Sequence, residues 1–522
     1  MPRTVKSRAT RPWRLSRKSL ILSCLSSVLL AVSFPPCNFE FLAWAAFVPL
    51  FFALEKTSGI QAFALSLISG AVFWLGTLYW LAHVTAAGML VLVLYLAFYW
   101  GIFGFVISRR GLPCRCPAVF FIPAVWVLLE YIRSYCFTGF PWALLAYSQS
   151  HTLAAIQVAD ITGAWGVSFL VMMANAAIYV LWKHVQCGPS IRKGPVVAAG
   201  CILLCVYLYG VVRLHPGACN PGAGSNHVKV SVIQGNIPQE LKWDQYSREN
   251  IMLRYISLSR EAAGDGPDLI VWPEAAVPAI LDRGSAYGGY LREFVNSSRV
   301  SLLTGAVTSR QAQYYNSAVL LQPDAGVAIY DKIHLVPFGE YIPLRPVLGF
   351  LETIAPIGEI RRGSEYRVFQ LGAPGRMPRP AFSTLICFED AFPEISRRFV
   401  NAGARFLVTV TNDAWYQRTS APYQHFQASV FRAVENRVWM ARSANTGVSG
   451  FIRPDGVIEG LVSGPEGKTI FVPGYSTREI GLSACAVTAY TKFGDWFIAA
   501  ALLMILLCAP GFRGLPGGQQ HQ

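Results

Sequence analysis

The sequence predicts a polytopic α-helical membrane domain joined to an α/β domain. Three observations lead there. Apolar residues make up 53% of the chain and charged residues only 14%, whereas ordinary soluble domains carry about a quarter charged. The apolar residues gather in long runs within 20–212, with one more near 495–509. Between these, 213–492 changes to short apolar stretches alternating with polar ones, the pattern of buried strands with helices between them.

The N-terminal segment 1–19 is a basic tail carrying Arg3, Lys6, Arg8, Arg11, Arg14, Arg17 and Lys18. An apolar run follows, and further apolar segments come at once with no clean small-x-small cleavage site, so it reads as an uncleaved span rather than a signal peptide. Candidate spans are 20–34, 39–54, 60–82, 88–108, 117–132, 163–182, 195–212 and 495–509. A span needs about 17–25 residues, so the first, second, fifth and last are short. Each must be helical, because an isolated span satisfies its own backbone hydrogen bonds in lipid.

Charge sets the orientation. The loops with Arg109, Arg110 and Arg115, and with Lys183, Arg192 and Lys193, fall on the same side as the basic tail, whereas 35–40 and 83–87 lack Lys and Arg. The positive-inside rule then makes 1–19 cytoplasmic, 20–212 a seven-helix domain, 213–492 an outer-face domain, and 493–522 a last span with a cytoplasmic tail. The net charge of +15 is thus read as an orientation signal, and no nucleic-acid partner is expected. Glu130 and Arg133, three apart at the end of the fifth span, read as an interfacial ion pair that snorkels to water and anchors the helix.

Twelve cysteines lie mostly within or beside apolar stretches, where Cys behaves as a small hydrophobe. Cys114 and Cys116 form a lone C-x-C, too few ligands for a closed zinc site. Neither a metal nor a cofactor is expected. Cys219, Cys387 and Cys485 fall in the outer segment, and an odd number leaves at least one free thiol.

In that segment 228–234, 268–272, 302–307, 318–321, 327–330, 382–386 and 406–410 read as strands, with helices around 246–263 and 421–442. Three strand ends carry chemistry. The first delivers Glu274, the second Lys332 and the third Cys387. Pro393 suits the first turn of a helix, which puts Cys387 in a strand-to-helix turn whose field favours the thiolate. A thiol nucleophile needs a base, and Glu274 is the candidate. Acyl transfer also needs a cation where oxyanion charge develops, and Lys332 is the candidate. Each residue alone has an ordinary structural reading: a buried inert Cys, a surface cap, an edge-strand Lys. Three complementary groups at three strand ends argue for a site.

The motifs VSVIQGNI, IVWPEAAVP, YDKIHLVPFGEYIP, LICFEDAFPE and VTNDAWY resemble the carbon–nitrogen hydrolase, or nitrilase, superfamily over about 227–485. The resemblance implies a nitrilase-like four-layer α-β-β-α sandwich and a Glu–Lys–Cys triad at Glu274, Lys332 and Cys387. The flanks SFPPCNFEFLAWAAFVPLFFAL, LLEYIRSYCFTGFPW and TAYTKFGDWF resemble the apolipoprotein N-acyltransferases across nearly the whole chain. That resemblance implies a bacterial inner-membrane protein with a periplasmic catalytic domain. It also implies a phospholipid acyl donor and a diacylglyceryl-apolipoprotein acceptor. It further implies that Glu340 is a second glutamate beside the site, that Glu389 is the acidic residue after the nucleophile, and that Trp243 lies on a mobile loop near the entrance. Phe388 stands where many members have Tyr, and reads as packing. Asn412, Asp413 and Trp415 match a motif that shapes either the site or the domain.

The apolar segment 344–357, just after Glu340, reads either as a lid dipping into lipid or as a domain-core helix, and Pro346 and Pro356, which would break a helix, favour the lid. Two rivals stay open. A membrane-tethered amidase or nitrile hydrolase would share the triad and use water as acceptor. A transporter or sensor with an outer binding domain would need no triad.

Overall fold

The computed structural model describes residues 15–109, 118–187, 193–215, 227–282, 284–342, 360–372, 380–482 and 487–508. The expected lid at 344–357, and Cys114, Cys116, Cys219 and Cys485, lie outside these residues.

Among the described residues five helices are long and apolar enough to cross a membrane: Gly59–His83, Ala86–Arg109, Ala118–Tyr135, Ala159–Gln186 and Gly194–Leu214. The other expected spans are helical but shorter, at Arg17–Ala31, Glu40–Ala53 and Trp496–Leu507. Small and polar residues pack the bundle, as they must where lipid offers no hydrophobic drive. Gly104 lets two helices close: a Cβ there would sit 2.0 Å from Ser66 Oγ. Asn175 fastens the short 40–53 segment, its amide donating to Ala43 O at 2.8 Å and accepting from Phe47 N at 2.8 Å.

The Glu130–Arg133 expectation is corrected. The two side chains are buried inside the bundle, 3.8 Å apart, and neither reaches water. Arg133 donates to Phe140 O and Trp142 O at 2.6 and 3.0 Å, and Glu130 accepts from Leu145 N at 2.8 Å. The pair therefore pins the 140–145 segment, which meets the catalytic half. A buried pair is held this way because each charge needs partners once water is gone.

The catalytic half contains two sheets. The first holds β1 (His227–Gln234), β2 (Leu269–Val271), β3 (Ile280–Leu281), β4 (Ser301–Arg310), β5 (Gln313–Leu321), β6 (Val327–Asp331) and β13 (Gly474–Gly481). Its order is β13-β1-β2-β4-β5-β6, with β3 beside β4. The second holds β7 (Phe369–Gln370), β8 (Ala381–Ile386), β9 (Phe406–Thr411), β10 (Trp439–Ala444), β11 (Gly450–Ile452) and β12 (Ile458–Glu459), in the order β12-β11-β10-β9-β8-β7.

Alternation along each strand divides the first sheet's faces. Val228, Val230, Val232, Leu269, Val271 and Leu303 join the core shared with the second sheet. Ile233, Ile270, Trp272, Leu302 and Val319 instead form a separate core under helices Arg248–Ala263 and Ala286–Ser298. Helices Pro393–Asn401 and Ala421–Asn436 cover the second sheet. The result is the four-layer α-β-β-α sandwich that the motifs implied.

Two boundaries differ from expectation. The helix expected over 421–442 stops at Asn436, where Arg437 turns left-handed at φ 52°. The chain then enters strand β10, which pairs with β9 from Trp439↔Phe406 to Ala444↔Thr411. The strands expected at 302–307 and 318–321 extend into a long β4–β5 hairpin.

Candidate active site

Three strand ends, two from the first sheet and one from the second, set the site. β2 runs into Pro273-Glu274, β6 into Lys332 and β8 into Cys387. Gly305 on β4 makes room for the first of these turns, since a Cβ there would lie 2.5 Å from Glu274 Cα and 2.5 Å from Pro273 O.

The side chains of Glu274, Lys332 and Glu340 form one cluster. Lys332 Nζ lies 2.9 Å from Glu340 Oε2 and 3.5 Å from Glu274 Oε1. Burial alone would lower the Lys332 pKa, but Glu340 and then Glu274 outweigh it and hold it above its ordinary value. It is therefore an ammonium at any working pH. Asn316 Nδ2 donates to Glu274 Oε1 at 2.8 Å and to Glu340 Oε1 at 2.7 Å, bridging the two carboxylates. The other oxygens are met by backbone: Asn412 N to Glu274 Oε2 at 3.0 Å, and Val336 N to Glu340 Oε2 at 2.8 Å.

Cys387 is buried and free, and its thiol interacts electrostatically with both Glu274 and Lys332. Its φ of 54° lies in the left-handed region, rarely adopted by a residue with a side chain. The helix N-terminus expected beside Cys387 lies further along the chain. Cys387 opens a 3-10 turn, Cys387–Ala391, and the α-helix begins only at Pro393. Burial pushes the thiol pKa up, Glu274 adds to that, and Lys332 opposes it. A thiol held this way calls for a base beside it to react.

Glu389 does not face this cluster. Its carboxylate accepts from Ile386 N at 2.8 Å, Ile333 N at 2.6 Å, His334 N at 3.1 Å and Tyr330 OH at 2.9 Å. It thereby ties the strand end carrying Lys332 to the one carrying Cys387. Burial raises its pKa to about 7, against the backbone donors. Phe388 packs among Phe392, Phe140 and Trp142, ring centroids 5.0, 6.1 and 6.3 Å away, against the membrane half. Trp243 is 45% exposed.

Asn412 and Asp413 divide between the two alternatives left open for their motif. Asn412 reaches Glu274 through its backbone, whereas Asp413 lies in a buried ionic network beneath Cys387. There His425 Nδ1 is 2.9 Å from Asp413 Oδ1 and Nε2 is 2.9 Å from Asp390 Oδ1. Nε2 also lies 3.3 Å from the Cys387 carbonyl oxygen. Arg442 pairs with Asp390 at 2.5 Å and approaches Asp413 at 3.6 Å. Trp415 is exposed, while Tyr416 stacks edge-on against Trp80 of the membrane half at 4.6 Å.

Four residues that motif reading passed over belong here: Asn316, Lys242, Tyr416 and His425. Asn316 had a signal, a lone amide in the apolar run of β5. Lys242 sits beside Trp243 in LKWD with nothing in the motif to single it out. Among the described residues no group of three or more His, Cys, Asp or Glu is arranged to hold a metal.

Comparison with known proteins covers both halves. The family model for the apolipoprotein N-acyltransferase N-terminal domain matches residues 26–177, and that for carbon-nitrogen hydrolase matches 229–489. The apolipoprotein N-acyltransferase of Geobacter metallireducens is 38% identical over 94% of this chain and 94% of its own. Those of Chlorobaculum tepidum and Gloeobacter violaceus are 32% and 31% identical, over 84% and 92% of this chain and 87% and 91% of theirs. With a membrane bundle and a hydrolase sandwich each matched by its own model, and with relatives alike from one end to the other, the chain belongs to the apolipoprotein N-acyltransferase family.

Proposed function

We propose that the protein transfers an acyl chain from a membrane phospholipid, through a thioester on Cys387, to the α-amino group of a diacylglyceryl-Cys at the N-terminus of an apolipoprotein. The observation that carries this reading is a buried carboxylate–ammonium–thiol cluster in a hydrolase sandwich packed directly onto a membrane bundle. Lipid substrates favour that arrangement, because moving a diacyl chain out of the bilayer costs about 0.8 kcal/mol per methylene. The orientation that goes with it is an inner-membrane bundle and a periplasmic sandwich.

Glu274 takes the Cys387 proton as sulfur attacks the ester carbonyl carbon. Lys332, with backbone donors, stabilises the tetrahedral oxyanion. The carbon–oxygen bond breaks, and the lysophospholipid alkoxide leaves with the proton from Glu274. The acceptor amine then attacks the thioester carbonyl. Its proton passes to Glu274, the carbon–sulfur bond breaks, and the thiolate recovers a proton. Glu340 and Asn316 hold Lys332 and Glu274 in register. Glu389 and Phe388 hold the turn, and Trp243 stands exposed where substrate enters.

Trapping the intermediate tests this. Given acyl-labelled phospholipid and no acceptor, the enzyme should carry label on Cys387, released by neutral hydroxylamine. A diacylglyceryl-peptide with a free amine should discharge it; a peptide with a blocked amine should not. Glu274→Gln should abolish loading, and Lys332→Met should slow it by roughly 10²–10³-fold, as for a lost oxyanion donor. Chain transfer by the wild type with no thioester trappable on Cys387 would refute the mechanism. Loss of label to water without an amine would favour a hydrolase.

A further inference from the structure

Around Lys242 the usual polarity of a surface segment is inverted. The lysine is 2% exposed, while its neighbours Leu241 and Trp243 are 44% and 45% exposed. Lysine is almost never fully buried without a partner, and apolar side chains usually take the interior. The segment after β1, through the turn Gln239–Leu241, therefore puts its cation inside and its apolar groups out.

The ammonium points at the base. Lys242 Nζ donates to the backbone oxygen of Glu274 at 2.8 Å. An ammonium carries three N–H donors, and among the described residues no other acceptor and no carboxylate is within reach of this one. Lys332 differs, being engaged by both Glu340 and Glu274. Two carboxylates set against one ammonium leave the cluster an excess negative charge, which is expensive in a buried place.

We propose that Lys242 is a positioning residue for the nucleophile: its ammonium balances the second carboxylate of the Glu274–Lys332–Glu340 cluster and stabilises negative charge as it moves to Cys387. This rests on reading Cys387 as the nucleophile and Glu274 as the base. When the thiol proton passes to Glu274, the charge moves from carboxylate to sulfur and then to the ester carbonyl oxygen, with no change in the total. The Glu274 carboxylate already has Lys332, Asn316 and the Asn412 amide as partners, so a further buried cation held on its backbone acts mainly on the charge that leaves it. Burial lowers the Lys242 pKa to about 8, and the charges of Glu274 and Cys387 oppose that fall.

Three substitutions separate charge from hydrogen bonding. Lys242→Gln keeps a donor for the Glu274 carbonyl and loses the charge. Lys242→Arg keeps the charge, and Lys242→Met loses both. The readout is alkylation of Cys387 by iodoacetamide against pH in the full-length protein, followed on the Cys387 peptide by mass spectrometry, together with acyl loading from labelled phospholipid. Glu274, Lys332, Asp413 and Tyr416 also act on the thiol and are unchanged in all three.

At pH 7, where Lys242 carries its charge, Lys242→Gln and Lys242→Met should slow both alkylation and loading by about tenfold or more. The difference in alkylation from wild type should narrow as the pH rises through about 8, where Lys242 loses its proton. Lys242→Arg should stay near wild type at pH 7. A merely structural lysine gives another pattern: Gln restores function, Met alone is impaired, and neither difference varies with pH. That result overturns the proposal. If wild-type Cys387 takes no acyl label, the reading beneath it falls and this one with it. A labelled wild type with alkylation unchanged at pH 7 in Lys242→Gln overturns the role of Lys242 alone.

Discussion

Cys387 holds a left-handed backbone conformation that costs a side-chain-bearing residue about 1–3 kcal/mol, so its neighbours must hold it there. Glu389 grips the turn from one side through Ile386 N. His425 meets the Cys387 carbonyl from the other, fixed between Asp413 and Asp390, its ring tilted against Trp142 at 5.3 Å. Burial alone would lower the His425 pKa. Asp390 and Asp413 outweigh that and the opposing Arg442, and raise it to about 9 from 6.5. A folded pKa above the unfolded one gives a stabilising contribution complete below about 6.5 and lost as pH rises through about 9. Thermal unfolding in detergent should therefore show His425→Gln less stable than wild type at pH 6. The gap should narrow as the pH approaches 9.5. A constant gap would mean that His425 is neutral in the fold. Glu274, Lys332 and Cys387 are legible in the sequence because each follows a short apolar strand in a compact motif, whereas Glu340 and Glu389 enter through the family resemblance. Asn316, Lys242 and His425 are not legible, because their roles arise from contacts between segments far apart in the chain.

Among the elements, the β2 turn depends most on a single neighbour. Gly305 lies against the backbone of Pro273, Glu274 and Ala275, at 2.5 to 2.7 Å from an added Cβ. None of these atoms is the end of a flexible side chain, so Gly305→Ala must displace the turn that carries the base. A shift of about 1 Å at reacting groups costs on the order of 10²-fold in rate. Turnover in Gly305→Ala should fall by about that factor. Membrane insertion and yield should stay near normal, as measured by acylation of a diacylglyceryl-peptide. Unchanged turnover would show that the turn yields without disturbing Glu274. The strands that deliver chemistry are legible because they are short, apolar and end in a motif. β10 is not: Trp439–Ala444 continues a helical pattern in composition, and only the left-handed Arg437 separates the two. β13 escapes sequence reading for a different reason. Its GYSTREIG is polar and glycine-flanked, and it is a strand because β1 offers it an edge.

The two halves of the molecule meet through helix Ala421–Asn436. Gln424 accepts from Trp80 Nε1 and Trp142 Nε1, each at 3.0 Å, and donates to Thr77 O at 3.1 Å. Arg437 reaches Asp160 at 2.7 Å and Gln157 at 2.6 Å. The next residue along from Gln424 is His425, so the contact that joins the halves also borders the nucleophile's turn. Composition announces a membrane half and a catalytic half but says nothing of this seam, which is built from buried polar groups that are unremarkable in sequence. Orientation remains a matter of charge asymmetry. Reporter fusions after Val212 and after Pro510 should report opposite sides of the membrane, and the same side for both would remove the eight-span arrangement.

The pairing of β1 with β13, from His227↔Gly481 to Gln234↔Gly474, also governs timing. A ribosome delivers β1 about 240 residues before its antiparallel neighbour. Throughout the interval one edge of β1 presents unpaired backbone groups, a template for wrong partners. The strand that covers it emerges only shortly before helix Trp496–Leu507, so the sheet closes and the last apolar helix inserts at almost the same moment of synthesis. A chain interrupted before Gly474 therefore leaves an open, aggregation-prone sheet on the membrane, a target for quality-control proteolysis rather than a shortened enzyme.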